Sequence, residues 1–195
     1  EQIASILRIT EEYDNMVMAY LSKFTHACYI NFSSGAVYGG SFSESVKDDS
    51  ICQLSVNNIR PQDYYGIAKI NAEAKHRAQA DLHIVDIRIF SYFSRFIDLN
   101  AGYFVTDLVK SIKQESEFIT NSCDFIRDYL HPSDLFNLIK LVIEGKLFNA
   151  AFDAYSQAPV SKFAILDYFS KTYGLKYKLN EKLNFVCPTG AKNVY

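Results

Sequence analysis

Tyr65 and Lys69 are the two residues whose types and spacing most clearly allow chemistry. They stand four positions apart in Tyr65-Gly66-Ile67-Ala68-Lys69, and residues with this spacing share one face of a helix, with Cβ atoms about 5–6 Å apart. A tyrosine with its ordinary pKa of about 10 is a poor base at neutral pH, but a nearby ammonium favours the phenolate. The pair could therefore be a general base with its activating cation. Alternatively, the two residues are ordinary side chains on the surface of a helix, because this spacing arises by chance in a chain with 14 tyrosines.

A second candidate group is the serine pair Ser33 and Ser34, which follows a short apolar run at residues 27–32. The run ends in Ser33-Ser34-Gly35 and is typical of a buried parallel strand that leads into a loop at its carboxyl end. Open α/β sheets bind their ligands at the carboxyl ends of such strands. Ser34 is therefore a candidate for a hydroxyl of the site, and the alternative is a hydroxyl that only satisfies the turn.

These residues need helices and strands to position them, and the first half of the chain alternates between the two. The pattern predicts a helix over residues 1–21, a strand over 27–32, a helix over 63–80 and a strand over 83–90. This alternation is typical of a doubly wound parallel sheet of the α/β class. Later in the chain we expect helices near 102–113, after His131-Pro132 and at 161–173, a strand at 148–155, and extended segments near Phe118 and Phe125.

Composition excludes several classes of function. The chain has 20 Lys and Arg against 22 Asp and Glu, a net charge of −2, so no basic surface for nucleic acid or anionic lipid is expected. No run approaches the ~20 apolar residues of a membrane helix, and the first residues lack the pattern of a signal peptide. The expected location is cytoplasmic. Four cysteines and four histidines show no zinc-site spacing, so no metal is expected.

Three motifs follow one another along the chain: S-S-x-x-V-Y-G at residues 33–39, P-x-x-x-Y-x-x-x-K at 61–69 and R-D-Y-x-H-x-x-D at 127–134. Together they resemble the extended short-chain dehydrogenase/reductase family, in particular its NAD-dependent epimerase/dehydratase group, which modifies nucleotide sugars. Weaker similarity continues to about residue 173. The resemblance implies a Rossmann-type sheet with a small α/β lobe for the substrate, in an enzyme that epimerises or reduces a nucleotide sugar.

By this resemblance the catalytic residues are Ser34, Tyr65 and Lys69. Ser34 would hydrogen-bond the reacting sugar oxygen, and Tyr65 would take the hydroxyl proton while hydride leaves the same carbon for NAD or NADP. Lys69 would lower the pKa of Tyr65 and bind the nicotinamide ribose. Tyr65, Lys69 and Phe90 are therefore expected to contact the cofactor.

The resemblance assigns the nucleotide-sugar contacts to Ser34, Ser91 and Arg127. Arg127 matches a position that pairs with the diphosphate in relatives, and a planar guanidinium suits such bidentate contact. The alternative for Arg127 is an ion pair with Asp124 or Asp128. Ser91 stands where epimerases of the family have an Asn.

Departures from the family pattern narrow the expected reaction. Relatives that remove water across the C5–C6 bond of the sugar carry an acidic pair directly after the active-site hydroxyl, and here those places hold Gly35 and Ala36. This favours an epimerase or a ketosugar reductase over a 4,6-dehydratase. The spacing between Ser34 and Tyr65 is also long, and the extra residues at 47–58 could form a lid or specificity loop.

The Gly-rich strand-turn-helix fingerprint of dinucleotide-binding proteins does not occur in the sequence. In the family this element forms the amino-terminal half of the sheet, so we expect the chain to lack that half and to be inactive by itself. The expected domains are a partial Rossmann domain at residues 1–95 and, at 96–195, mainly a substrate lobe with some segments that return to the sheet.

The resemblance also implies a homodimer, because the helix before the Ser34 strand and the Tyr65 helix form a dimer interface in relatives. Two other functions stay open. One is a non-catalytic nucleotide-sugar-binding or regulatory member of the family, which the intact set of Ser34, Tyr65 and Lys69 disfavours. The other is an unrelated α/β interaction domain in which the motifs arise by chance.

Overall fold

The computed structural model describes residues 2–39, 45–47, 49–146 and 148–181. The helices are α1 (Gln2–Leu21), α2 (Tyr64–Arg77), α3 (Phe104–Lys113), α4 (Pro132–Glu144) and α5 (Lys162–Tyr173). The strands are β1 (Tyr29–Ser34), β2 (Ile84–Ile89), β3 (Phe118–Thr120), β4 (Ile126–Arg127), β5 (Ala150–Ala154), β6 (Val160–Ser161) and β7 (Tyr177–Leu179). Two 3-10 turns, Gly35–Tyr38 and Pro61–Asp63, precede α2.

The chain divides into two compact units. Unit 1 comprises Glu1–Gly40, Val46–Phe90 and Ser133–Tyr155, and unit 2 comprises Ser41–Ser45, Ser91–Pro132 and Ser156–Tyr195. The predicted domains assign the cofactor to residues 1–95 and mainly the substrate to residues 96–195. The boundaries of the two units do not show which ligand each one binds, so this division stays a prediction. None of the helices among the described residues is long and apolar enough to cross a membrane.

Unit 1 is built on a parallel sheet with the strand order β1-β2-β5. In the register, Ser34 at the end of β1 lies opposite Ile89 of β2, and Ile89 lies opposite Ala154 of β5, so the carboxyl ends of all three strands meet at one edge. The central strand is buried, with Ile84, Val85 and Ile87 completely covered, as parallel strands flanked on both sides are. This confirms the predicted α/β class with parallel strands.

A buried histidine ties α1 and α2 of unit 1 to its sheet. His76 of α2 is completely buried, with Nε2 2.7 Å from Asp14 Oδ1 of α1 and Nδ1 2.9 Å from Asp86 Oδ1 of β2. Burial by itself lowers the pKa of His76, but the two carboxylates outweigh it and raise the pKa to about 9. Asp86 also accepts from Asn31 and Arg77. A protonated His76 therefore joins α1, α2 and β2.

Unit 2 has its own apolar core between α3 and α5. Leu108, Ile165, Leu166 and Leu175 form its buried centre, to which α3 contributes Leu108 and α5 contributes Ile165 and Leu166. Two small sheets accompany this core: β3 pairs in parallel with β7, and β4 pairs antiparallel with β6.

The main elements of both units were predicted, with one shift near the site. The strand predicted at residues 27–32 lies two residues later, at Tyr29–Ser34, because β1 continues through Ser33 and Ser34 in its pairing with β2. The small strands β6 and β7 were missed, since two or three residues carry no periodic pattern. The described part of residues 45–60 holds no helix or strand, and the lid proposed for residues 47–58 stays a prediction, with residue 48 outside the described residues.

Candidate active site

Ser34 is the last residue of β1 and caps the turn that follows it. Its Oγ accepts a hydrogen bond from the backbone N–H of Ala36 at 3.2 Å, so Ser34 begins the 3-10 turn Gly35–Tyr38. The predicted turn-satisfying role of this hydroxyl is therefore real. This bond leaves Ser34 able to bind a ligand, because a hydroxyl that accepts one hydrogen bond still has its own proton to donate.

Tyr65 and Lys69 both lie on α2, as their spacing predicted. The Lys69 Nζ is 5.8 Å from the centroid of the Tyr65 ring, and it donates to the carbonyl oxygen of Phe32 at 2.9 Å. Burial lowers the pKa of Lys69, and the nearby carboxylates of Asp86 and Glu73 offset part of this effect. Since Phe32 lies two residues before Ser34, the ammonium is anchored to the same strand end as the serine.

Gly66 explains how the helix comes so close to that strand end. A Cβ atom at position 66 would lie 2.5 Å from the carbonyl oxygen of Ala36, so only a glycine allows α2 to pack its backbone against the turn after Ser34. Gly66 directly follows Tyr65 in α2. Ser34, Tyr65 and Lys69 are therefore brought to one end of the sheet in unit 1.

Phe90 lies directly after β2 and covers Gly35. A Cβ atom at position 35 would fall 2.3 Å from the Phe90 ring, which means that the ring occupies the space of any side chain at that position. Phe90 also packs against Tyr38 and Tyr155, with ring centroids 6.2 Å and 5.4 Å apart. The predicted cofactor residue Phe90 thus lies beside the predicted catalytic serine.

A polar network beneath these residues was not predicted from the sequence. Ser33, Glu73, Arg88, Tyr38 and Asp153 form a connected set of hydrogen bonds and ion pairs. One signal was available, because Glu73 follows Lys69 by four residues and continues the face of Tyr65 and Lys69. A charged Arg88 inside an apolar strand was a second signal.

Ser91 and Arg127 both lie in unit 2, and Ser91 is hydrogen-bonded to the segment that carries Arg127. The carbonyl oxygen of Ser91 accepts from the backbone N–H of Leu130 at 3.0 Å, three residues after Arg127. Arg127 is 5% exposed, donates through Nη1 to the carbonyl oxygen of Ile126, and holds its guanidinium 4.7 Å from the centroid of the Phe125 ring. The next residue, Asp128, orders the segment by accepting from both the backbone and the hydroxyl of Ser156.

Most of the chain matches the model of a known protein family. The family model described as NAD dependent epimerase/dehydratase family matches residues 2–156. No curated protein matches the chain significantly.

Solved structures share the fold at low sequence identity. UDP-glucose 4-epimerase from Thermotoga maritima, solved with UDP-glucose, is 17% identical over 98% of this chain and 64% of its own, with a TM-score of 0.72. UDP-glucuronic acid 4-epimerase from Bacillus cereus, in complex with UDP-glucuronic acid and NAD, is 18% identical over 84% of this chain and 51% of its own, with a TM-score of 0.66.

A third similar structure is RMD from Pseudomonas aeruginosa, complexed with NADPH. It is 15% identical over 91% of this chain and 59% of its own, with a TM-score of 0.67. The chain thus spans about half to two thirds of the length of these proteins. At these identities the likeness shows a Rossmann-like α/β fold.

Proposed function

The chain belongs to the NAD-dependent epimerase/dehydratase family, and from this premise we propose that the full-length protein is an NAD(P)-dependent nucleotide-sugar epimerase or ketosugar reductase. The observation that carries the proposal is the close packing of α2 on the turn after Ser34, which Gly66 permits. It brings Tyr65 and Lys69 to the strand end that carries a hydroxyl with a proton to donate.

In the proposed reaction Tyr65 is the general base. Its ring is 41% exposed, so a sugar hydroxyl can approach, and the Lys69 ammonium nearby favours the phenolate. Ser34 hydrogen-bonds the same sugar oxygen and holds it while the proton moves to Tyr65. The oxygen becomes a carbonyl as the C–H bond breaks, and the hydride would pass to a bound nicotinamide as its acceptor. Return of the hydride to the opposite face of the carbonyl, with return of the proton from Tyr65 to the oxygen, would give the epimer.

The residues present fit a nicotinamide cofactor. An ammonium has three N–H donors, and Lys69 uses one on Phe32, which leaves two for the hydroxyls of a ribose. Phe90 forms an apolar wall beside Gly35. When bound, NAD or NADP supplies the hydride acceptor. In this proposal the dinucleotide fingerprint lies in the remainder of the protein, and the 195-residue chain alone is inactive.

Position 35 supports an epimerase or reductase over a 4,6-dehydratase. A dehydratase of the kind described above needs an acid directly after the active-site hydroxyl. The Phe90 ring fills the space of a side chain at position 35, so an acidic residue there would displace Phe90. Epimerisation and ketosugar reduction need only the tyrosine, the hydroxyl and the cofactor.

We assign the nucleotide diphosphate to Arg127 and Ser91. Arg127 is buried and held by its neighbours in unit 2, and a fixed guanidinium loses little freedom when it binds two phosphate oxygens. Ser91, on the adjacent segment, offers a hydroxyl where epimerases of the family have an amide.

A homodimer through α1 is part of the proposal. Ile9, Tyr13, Met16 and Tyr20 are all exposed, and their spacing of four, three and four places them on one face of α1. A stripe of large apolar side chains on a helix surface favours association with another apolar surface. A second copy of the protein is the partner we propose.

The test is turnover by the full-length protein with NAD or NADP and a panel of UDP-, dTDP- and GDP-sugars. NMR of the sugar follows epimerisation, and absorbance of the reduced nicotinamide follows net redox. We expect inversion at one sugar carbon, or reduction of a 4-ketosugar. Nucleotide-sugar binding without any turnover would contradict the proposal and favour the non-catalytic member.

A further inference from the structure

One ion pair in unit 1 anchors the chain on both sides of Ser34. On one side, the Ser33 Oγ donates to Glu73 Oε1 at 2.5 Å. On the other side, the Tyr38 hydroxyl accepts from Arg88 Nη1 at 2.7 Å. Glu73 and Arg88 are paired with each other, and Arg88 Nη2 lies 2.6 Å from Glu73 Oε2. The segment that carries Ser34 is therefore bound at one end by the carboxylate of this ion pair and at the other end by its guanidinium.

The same pair reaches the third strand of the sheet. The Tyr38 hydroxyl donates to Asp153 Oδ2 at 2.8 Å, and Arg88 Nη1 lies 3.6 Å from Asp153 Oδ1. The Tyr155 hydroxyl also donates to Asp153 Oδ2, at 2.8 Å. The network thus links the carboxyl ends of β1, β2 and β5, which are the strand ends around the proposed site.

Glu73 also connects this network to the helix of the catalytic pair. Tyr65, Lys69 and Glu73 follow one another at intervals of four residues, so all three lie along one side of α2. Glu73 is 7% exposed and Ser33 is 4% exposed. A carboxylate this buried is stable only when it is paired and hydrogen-bonded, so its contacts fix the position of α2 relative to β1.

We infer that Glu73 and Arg88 are positioning residues of the active site, which set the distance of Ser34 from Tyr65 and Lys69. They act through Ser33 and Tyr38, and not on the sugar. The inference rests on the proposed function, since it assigns a role within that reaction. A misplacement of reacting groups by about 1 Å can cost about 100-fold in rate, so the network controls the chemical step and leaves ground-state binding intact.

Ser33→Ala and Glu73→Gln in the full-length protein test this role. Ser33→Ala removes only one hydroxyl, so it keeps the test valid if Glu73→Gln does not fold. The readouts are kcat, KM and the primary isotope effect with a nucleotide sugar deuterated at the reacting carbon. We expect kcat to fall by about 10- to 100-fold with KM within about threefold. The isotope effect should rise, because a slower hydride step becomes rate-limiting.

Arg77→Gln is the matched control. Arg77 lies on the same helix and loses an ion pair of 2.9 Å with Asp86, but it does not contact the Ser33 network. This variant should lose stability while keeping the wild-type kcat and isotope effect. If Ser33→Ala and folded Glu73→Gln also keep them, the positioning role is refuted and the proposed function survives. If the wild type itself shows no turnover, the proposed function fails instead.

Discussion

At the scale of single residues, Gly35 and Gly66 permit two close contacts that the motifs alone did not reveal. The sequence motifs predicted that Ser34, Tyr65 and Lys69 belong together, and their spacing placed two of them on one helix. The motifs could not show that Gly66 touches Ala36 or that Phe90 covers Gly35, because these partners are far apart in the chain. Close approaches of this kind depend on the packed structure, and a single sequence carries little trace of them.

Gly66→Ala should lower the free energy of unfolding of the full-length protein. In an ordinary helix this substitution stabilises by up to about 1 kcal/mol, but here the new Cβ would lie 2.5 Å from a backbone carbonyl oxygen. We expect a loss of about 1–3 kcal/mol together with reduced turnover, measured by urea denaturation and kinetics. Asn71→Ala, at an exposed position of the same helix, is the control and should be neutral or slightly stabilising. A stabilised Gly66→Ala protein would contradict the proposed close packing.

At the scale of elements, the periodic helices and the apolar strands were predictable from the sequence. The hydrogen bonds and ion pairs that join these elements were not. The alternation of helix and strand indicated the parallel sheet because burial on both faces leaves a continuous apolar run. His76 gave no such signal. Its partners Asp14 and Asp86 lie on different elements, so its role depends on how α1, α2 and β2 pack. The same reason hid the Ser33, Glu73 and Arg88 network.

The His76 cluster predicts a pH dependence of stability. The pKa of His76 is about 9 in the folded protein, against an ordinary histidine value of 6.5. Because the folded value is the higher one, the stabilisation is fully present below pH 6.5 and is lost as the pH rises through 9. We expect a loss of about 1–3 kcal/mol over this range, measured by denaturation at each pH.

His76→Gln should remove this pH dependence and lower stability at pH 6.5. His26→Gln, at an exposed histidine, is the control and should keep the wild-type pH profile. If His76→Gln loses as much stability between pH 6.5 and 9 as the wild type, the buried imidazolium is not its source.

At the scale of the whole molecule, the family follows from motifs distributed over most of the chain, while assembly depends on surfaces. Motif order indicated the family because three motifs in one order are far more specific than any one of them alone. The exposed face of α1 is less specific, since isolated surface apolar residues are common. In the structure these residues are exposed together on one face of α1, and this alignment is what favours a dimer through that face.

Tyr13→Glu should convert the full-length protein to a monomer. The side chain is 65% exposed in the single chain, and a charge in the middle of a helix interface would be buried without a partner. Sedimentation equilibrium measures the result. Phe136→Glu on α4 is the matched control, because Phe136 is also 65% exposed, and this variant should stay dimeric. A wild-type protein that sediments as a strict monomer would refute the dimer.

The turnover of Tyr65→Phe in the full-length protein tests whether Tyr65 is the general base, which the proposed function requires. Loss of a general base lowers kcat by about 10²- to 10⁴-fold, while the dissociation constant for the nucleotide sugar should stay within about threefold, since the ring is retained. Tyr64→Phe, the neighbouring tyrosine on the same helix, is the control and should turn over at close to the wild-type rate. Equal turnover of Tyr65→Phe and the wild type would contradict the proposed catalytic role of Tyr65.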